Sequence, residues 1–294
     1  MSKGGQGGIV FGCRLLGKTK QAYYKHKKSL KTKKVQAFVA ISLVKSQRES
    51  LPRIGTKKLH HMLSQPLKEI KIGRDKLNEI IKANGMLVPP LRQYKITTNS
   101  RHHFPKYKDL VTGTRIFQPE QVWVGDITYI NAKDKYYYLS MITDAYSKKI
   151  MGYCIDENMN VELVIKALAM AFNNRQYQTK LTHHTDRGSQ YCCKAYQEKL
   201  RRMSVITSMT ENSDPYTNAI AERVNGIIKH EFLIDGQHHS LLELKLLLAQ
   251  AVHSYNHLRP HLSCHMLTPD NMHNQRQLRR IEYRNKFLNK KIKV

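Results

Sequence analysis

Three acidic residues stand where their neighbours make an ionised side chain costly or conspicuous. Asp126 lies inside Trp123-Val124-Gly125-Asp126-Ile127-Thr128-Tyr129-Ile130, a β-branched and aromatic run with burial demanded on both faces. A carboxylate there is expensive without a cation. Asp186 follows His183-His184-Thr185 and precedes Arg187-Gly188-Ser189-Gln190, at a strand end of the kind where open α/β sheets place ligands. Glu222 falls in a helical pattern over 218–232 whose apolar stripe is Ile220, Val224, Ile227 and Ile228. Asn225, Gly226 and Lys229 follow Glu222 at i+3, i+4 and i+7, so the other face offers a carboxylate, a glycine gap and a lysine. Three carboxylates in one cleft repel one another and need divalent cations to coexist. Hard ions such as Mg²⁺ prefer oxygen ligands, and two of them about 3.5 to 4 Å apart can activate a nucleophilic oxygen and stabilise a leaving one in phosphoryl transfer. Spacing alone leaves plainer roles open: Asp126 as a strand-end cap, Asp186 as a turn or helix cap, Glu222 as a surface partner of Arg223 or Lys229.

The elements that would position these acids are strands first. Trp123–Ile130, Tyr136–Thr143 and Ile150–Ile155 read as an antiparallel meander with a turn over 133–135. A buried helix over Val161–Phe172, a strand over Leu181–Thr185, a helix over Ser189–Met203, a short strand over Val205–Thr207 and the helix carrying Glu222 complete a βββαβαβα order. That order predicts an α/β domain with a mixed sheet. A further long helix spans Leu241–Tyr255. The first part of the chain differs: helical patterns over Val35–Ser46, Thr56–Leu63 (Thr56 as N-cap) and Asp75–Asn84 (closed by Gly85) suggest a helix-turn-helix-like domain. Leu77, Ile80 and Ile81 would face its core, with Arg74, Lys76 and Lys82 turned to a ligand. A small bundle that only packs on its neighbour is the alternative. The resulting division is a basic arm and helix over 1–50, the helical domain over 51–98, a linker over 99–118, the α/β core over 119–258 and a basic tail over 259–294.

Charge follows that division. The 294 residues carry 50 Lys and Arg against 22 Asp and Glu, a net +28. Residues 1–118 hold 26 basic and 5 acidic side chains, 119–235 hold 14 of each, and 236–294 hold 10 and 3. No acidic residue precedes Glu49, and Lys25, Lys27 and Lys28 open a basic run interleaved with Tyr23, Tyr24 and His26. Basic flanks around a neutral middle suit a polyanion gripped through counterion release, which makes nucleic acid the leading partner. The longest nearly uncharged apolar run, Val35–Val44, is too short to cross a bilayer, and nothing reads as a signal peptide. The five cysteines (13, 154, 192, 193, 264) form no C-x-x-C pair, so neither a disulfide framework nor a zinc ribbon is suggested. A cytoplasmic, reducing setting is expected.

The block around Asp126, the block His184-Thr185-Asp186-Arg187-Gly188-Ser189-Gln190-Tyr191 and the block Pro215-Tyr216-Thr217-Asn218-Ala219-Ile220-Ala221-Glu222-Arg223-Val224-Asn225 resemble the three signatures of retroviral-integrase-like transposases of bacterial insertion sequences. The nearest group is the IS-three family, at its second-reading-frame protein. Thirty-five residues separate Asp186 from Glu222, as in that family's D,D(35)E pattern. Tyr255-Asn256, Arg259-Pro260-His261 and Thr268-Pro269 extend the likeness, as does the helical block between Gly55 and Gly85. The resemblance implies an RNase H-like core with a mixed five-stranded sheet and flanking helices. It implies Asp126, Asp186 and Glu222 as ligands of two Mg²⁺ (or Mn²⁺) ions, and attack of water or a DNA 3′-hydroxyl on a phosphodiester without a covalent protein–DNA intermediate. Expected partners are double-stranded DNA at the element ends and the target, further copies of the chain, and a first-frame protein. Lys229 is expected to approach the element's terminal DNA, with Arg223 and Asn225 beside it.

Other features draw less weight. His253, His257, His261, Cys264 and His265 look like zinc ligands, but Pro260 interrupts any shared helix face. His184 would help orient substrate or simply pack. Asp144, ahead of Ala145-Tyr146-Ser147-Lys148-Lys149, suits a turn into the next strand. The competing function is a DNA-binding protein with the same fold and no chemistry.

Overall fold

The computed structural model describes residues 4–89, 104–132, 135–210, 219–236 and 240–275. The chain divides into two compact units, Met1–Gln93 and Tyr94–Val294.

The first unit is helical: α1 (Gly4–Leu15), α2 (Lys20–Ser50), α3 (Thr56–Met62), α4 (Ser64–Glu69) and α5 (Arg74–Ala83). The basic run expected as an arm belongs to α2, which starts at Lys20 because the Thr19 hydroxyl caps it, accepting from the Ala22 N–H at 3.1 Å. Apolar periodicity from Val35 onward marks only the packed half of that helix, where Ala40 and Val44 are buried. Gly55, not Thr56, is the N-cap of α3, and the Thr56 hydroxyl pairs with Asn78 Oδ1 at 3.1 Å. Helix α4 escapes a periodicity search because it has only six residues; Pro66 is tolerated in its first turn, where no intrahelical N–H is needed. Leu59, Leu67, Leu77, Ile80 and Ile81 form the buried interior, as the spacing of the last three requires. Arg48 ties the unit together by donating to the Met86 and Ile54 carbonyls at 2.8 and 3.3 Å.

The second unit is built on one mixed five-stranded sheet: β1 (Val122–Ala132), β2 (Lys135–Asp144), β3 (Ile150–Asp156), β4 (Thr182–Thr185) and β5 (Ile206–Met209), in spatial order β3-β2-β1-β4-β5. The first three strands form the antiparallel meander, and β4 and β5 add in parallel to β1. Side chains alternate between two cores. Leu139 and Met141 join Val224, Ile227, Ile228, Leu244 and Leu248 on one face, while Trp123, Ile142 and Met151 join Val164, Leu168, Tyr196 and Leu200 on the other. Helix α6 (Val161–Asn173) lies directly on β3. A Cβ on Gly152 would stand 2.2 Å from the Ala167 carbonyl oxygen and 2.5 Å from the Ala171 nitrogen, so only glycine permits that approach.

The single helix expected over Ser189–Met203 is two, α7 (Ser189–Cys192) and α8 (Lys194–Arg202), because Cys193 is extended (φ −67°, ψ 151°). Burial of Tyr191 and Cys192 turns the chain there, and the Gln197 side-chain amide satisfies the Tyr191 carbonyl at 2.7 Å. Helix α9 (Ala219–Gly226) runs into a π-helical turn over Ile227–Glu231. Helix α10 (Leu241–His257) opens with a reciprocal Ser240/Glu243 capping box.

The stretch expected as a linker (99–118) and the one expected as a basic tail (259–294) both pack on this core where they are described. Leu110 N–H donates to Ser208 Oγ at 2.8 Å, and Val111 and Ile116 cover Val122 and Val124. Beyond α10, Arg259 makes a two-pronged ion pair with Glu231 at 2.8 and 2.7 Å, and α11 (Pro269–His273) buries Met272 and His273. The His273 ring sits between Ser147 Oγ at 3.0 Å and the buried Glu120 carboxylate at 3.2 Å. Asp144 has the turn role expected of it: it accepts from the Ser147 N–H and hydroxyl, both at 2.7 Å, and from the Glu120 N–H at 2.7 Å. Residues 276–294 and 211–218, the latter including Pro215 to Asn218 of the third sequence block, lie outside the described residues.

Candidate active site

The parallel pairing of β1 with β4 sets two of the acids side by side. Its last registered pair is Gly125 with Thr185, and Asp126 and Asp186 are the next residues on the two strands. Gly125 allows the strands' side chains to crowd this close: a Cβ there would meet His183 Cε1 at 2.8 Å and Thr185 Cγ2 at 3.2 Å. Asp186 is half-buried and turns back on its own loop, where Oδ1 accepts from the Gly188 N–H at 3.0 Å. Glu222, exposed, lies in the first turn of α9, which packs against β1 and β2.

The three carboxylates sense one another. Burial, then the charge of Asp186, then that of Glu222 push the Asp126 carboxyl up to about 8, against the pull of the Ile127 N–H and the Asn225 amide. Asn225 Nδ2 donates to Asp126 Oδ2 at 2.7 Å. An all-oxygen set that raises one of its own members in this way is the donor chemistry a hard divalent ion relieves. Among the described residues, no three His, Cys, Asp or Glu side chains are gathered closely enough to enclose a metal ion. The acids are thus electrostatically coupled and not drawn into a closed ligand shell.

The helix face expected to be open and polar is turned onto β1. Asn225 and Lys229 are both buried, and the π-helical turn carries Lys229 to 4.3 Å from the centre of the Tyr129 ring and 3.5 Å from Thr128 Oγ1. Asn225 thereby becomes the donor that holds Asp126, a role signalled in the sequence only by its i+3 spacing from Glu222. Arg223 is exposed on α9. Lys25, Lys27 and Lys28 are exposed on α2, and Arg74 and Lys76 are exposed on α5, paired with Asp75 at 2.9 Å and Glu79 at 2.8 Å.

The histidines next to Asp186 are packing residues. His183 Nε2 pairs with the Tyr196 hydroxyl at 2.8 Å, and burial pushes the ring down to about 3, so it stays neutral. His184 pairs with Ser208 Oγ at 2.9 Å, and burial lowers it as well. Of the zinc-like group, His253 and His257 stack on each other, while Cys264 is buried and its thiol donates to the Ser147 carbonyl. Tyr255, Asn256 and Arg259 prove to be scaffold. The Asn256 amide accepts from Ile150 N–H and donates to Ile150 C=O, both at 3.0 Å, and the Tyr255 hydroxyl donates to the Lys148 carbonyl at 2.8 Å.

Comparison with known proteins fits this architecture. Two integrase core domain families match, one over residues 117–215 and the other over 203–269. The Insertion element IS600 uncharacterized 31 kDa protein of Shigella sonnei is 32% identical over 225 residues, covering 75% of this chain and 82% of that one. Transposase InsF for insertion sequence IS3A of Escherichia coli is 28% identical over 200 residues, 66% of this chain and 68% of that one. The chain belongs to the IS3 family of insertion-element transposases. A putative transposase for IS986/IS6110 from Mycobacterium tuberculosis shares 32% identity over 157 residues, which span 51% of this family member and 56% of that protein. Among solved structures, the HTLV-2 integrase catalytic core domain in complex with magnesium aligns with 54% of this chain and 99% of its own, at 22% identity and a TM-score of 0.44. Among the described residues of this transposase-family chain, no helix is long and apolar enough to cross a membrane.

Proposed function

We propose that this chain is a DNA transposase that cuts strands at the ends of its insertion sequence and joins a 3′-hydroxyl to target DNA, with Asp126, Asp186 and Glu222 as the catalytic carboxylates. The observation that carries this is the coupling of the three acids across β1, β4 and α9 in a member of the IS3 family. These side chains would hold Mg²⁺, with Mn²⁺ able to replace it; when bound, the metal supplies the positive charge that in-line phosphoryl transfer between oxygens requires.

The chain's own residues have the remaining tasks. Asn225 fixes one oxygen of Asp126 and stabilises its ionised form, and the Gly188 N–H does the same for Asp186. Lys229 adds a positive charge beside β1 near the strand end where an anionic backbone would arrive. Arg223, with Lys25, Lys27, Lys28, Arg74 and Lys76, would meet DNA phosphates, the last two after exchanging weak exposed ion pairs for stronger ones. The partners are double-stranded DNA at the terminal repeats and target, other copies of the chain, and a first-frame protein.

The test is incubation of the full chain with end-labelled DNA bearing its element's terminal repeats, in Mg²⁺, Mn²⁺ or EDTA, with and without the first-frame protein. Metal-dependent nicking and joining are expected. Binding in every mixture with no change in the DNA would instead identify a DNA-binding copy without chemistry.

A further inference from the structure

Every residue of α2 from Lys20 to Val35 is solvent-exposed, so the side chains of this half of the helix are open to a ligand. It carries seven lysines, at 20, 25, 27, 28, 31, 33 and 34, and no acid. At about 3.6 residues per turn, Lys20, Lys27, Lys31 and Lys34 form one stripe roughly 60° wide, Lys25 and Lys33 fall on the reverse side, and Lys28 lies between. The cations therefore surround the helix. Lysines at i, i+3 and i, i+4 (25 with 28, 28 with 31, 31 with 34, 27 with 31) repel, and no acidic residue in the first turn offsets the helix dipole.

A helix lying on a flat anionic surface uses one face only, and a membrane-surface helix also needs an apolar face, which this one lacks. Cations on opposite sides suit a site with anions on opposite sides. The major groove of duplex DNA is such a site: it is about 12 Å wide, an α-helix with side chains is about 10–12 Å across, and phosphates of the two strands wall it. We propose that Lys20–Lys34 enters the major groove of double-stranded DNA, the Lys27/Lys31/Lys34 stripe meeting one strand's phosphates and Lys25 and Lys33 the other's. This rests on DNA being the partner and is independent of whether the chain performs chemistry on it.

The experiment measures fluorescence anisotropy of a labelled 30-base-pair duplex of arbitrary sequence against the full chain, in EDTA, over a range of NaCl. Two triple variants are compared, K27Q/K31Q/K34Q and K25Q/K28Q/K33Q; glutamine keeps helix propensity close to that of lysine, and circular dichroism verifies it. With about 0.9 in slope per phosphate contact, each triple should flatten the plot of log affinity against log salt by about 2 to 3 and weaken binding by about 100-fold at 0.1 M salt. The losses should be smaller on a single strand of equal length. Wild-type binding by K25Q/K28Q/K33Q would show one-sided contact and overturn groove entry, as would equal losses on single- and double-stranded DNA. Retained losses in a Glu222→Gln background, or in a chain that proves unable to cut DNA, would uphold groove entry whatever becomes of the transposase assignment.

Discussion

Asp126→Asn should make the metal-free protein more stable, and more so as pH rises. The carboxyl of Asp126 is pushed up to about 8 from an ordinary 3.8, with burial as the main cause and Asp186 and Glu222 adding to it. Between those values the folded chain keeps a proton that the unfolded chain releases. Its stabilising contribution is therefore complete below about pH 4 and is lost as pH climbs through about 8, at about 1.4 kcal/mol per pH unit. The asparagine variant has no such proton, and its amide oxygen can still accept from Asn225. From pH 5 to pH 8 the variant should gain on the order of 2–4 kcal/mol over wild type, the lower figure allowing for relaxation around the charge. Urea unfolding of both proteins in EDTA at pH 5, 6.5 and 8 reads this difference directly. A difference that stays constant with pH would refute the coupling of the three carboxylates and, with it, the main support for a shared site.

Further expectations follow from the scaffold. Gly152→Ala forces α6 away from β3, since the clash is with helix backbone, and should cost on the order of 2–4 kcal/mol and lower the melting temperature by several degrees. Asn256→Ala strands the Ile150 N–H and C=O and should cost about 2–4 kcal/mol in chemical denaturation, with Asn256→Asp recovering only the half that accepts. His183 is held neutral down to about 3 while an unfolded histidine protonates near 6.5, so stability falls on acidification through that window by about 1.4 kcal/mol per pH unit. His183→Gln should flatten the acid limb of the stability profile, whatever its effect at neutral pH.

Much of the fold was legible because its signals are local. The meander, the βββαβαβα order and the buried face of α5 follow from alternation and 3.6-residue spacing, and the structure has them within a few residues. Features set by distant partners were not legible. The break at Cys193 depends on Tyr191 and Cys192 entering the core, and nothing in the run 189–203 announces it. The exposed half of α2 has no apolar period to detect, because a helix surrounded by solvent has no reason for one. At the site, residue types and spacing singled out Asp126, Asp186 and Glu222, but the inward turn of Asn225 is visible only through its partner Asp126 on β1, and that of Lys229 rests on the π-helical turn after Gly226, which shifts the phase of the helix by a residue. Arg259 and Asn256 likewise carry conspicuous polar groups whose partners, Glu231 and the backbone of β3, are visible only in three dimensions.

The most direct test of the central claim is a strand-transfer assay on pre-cut element ends in Mn²⁺, comparing wild type with Asp126→Asn, Asp186→Asn and Glu222→Gln, each first shown to bind the same DNA as wild type does. Joining by wild type and at least a 1,000-fold loss in every variant, on the order of 4 kcal/mol in the barrier, is the expected result. Joining by any one of the three at near the wild-type rate would contradict the assignment of that carboxylate, and with it the triad.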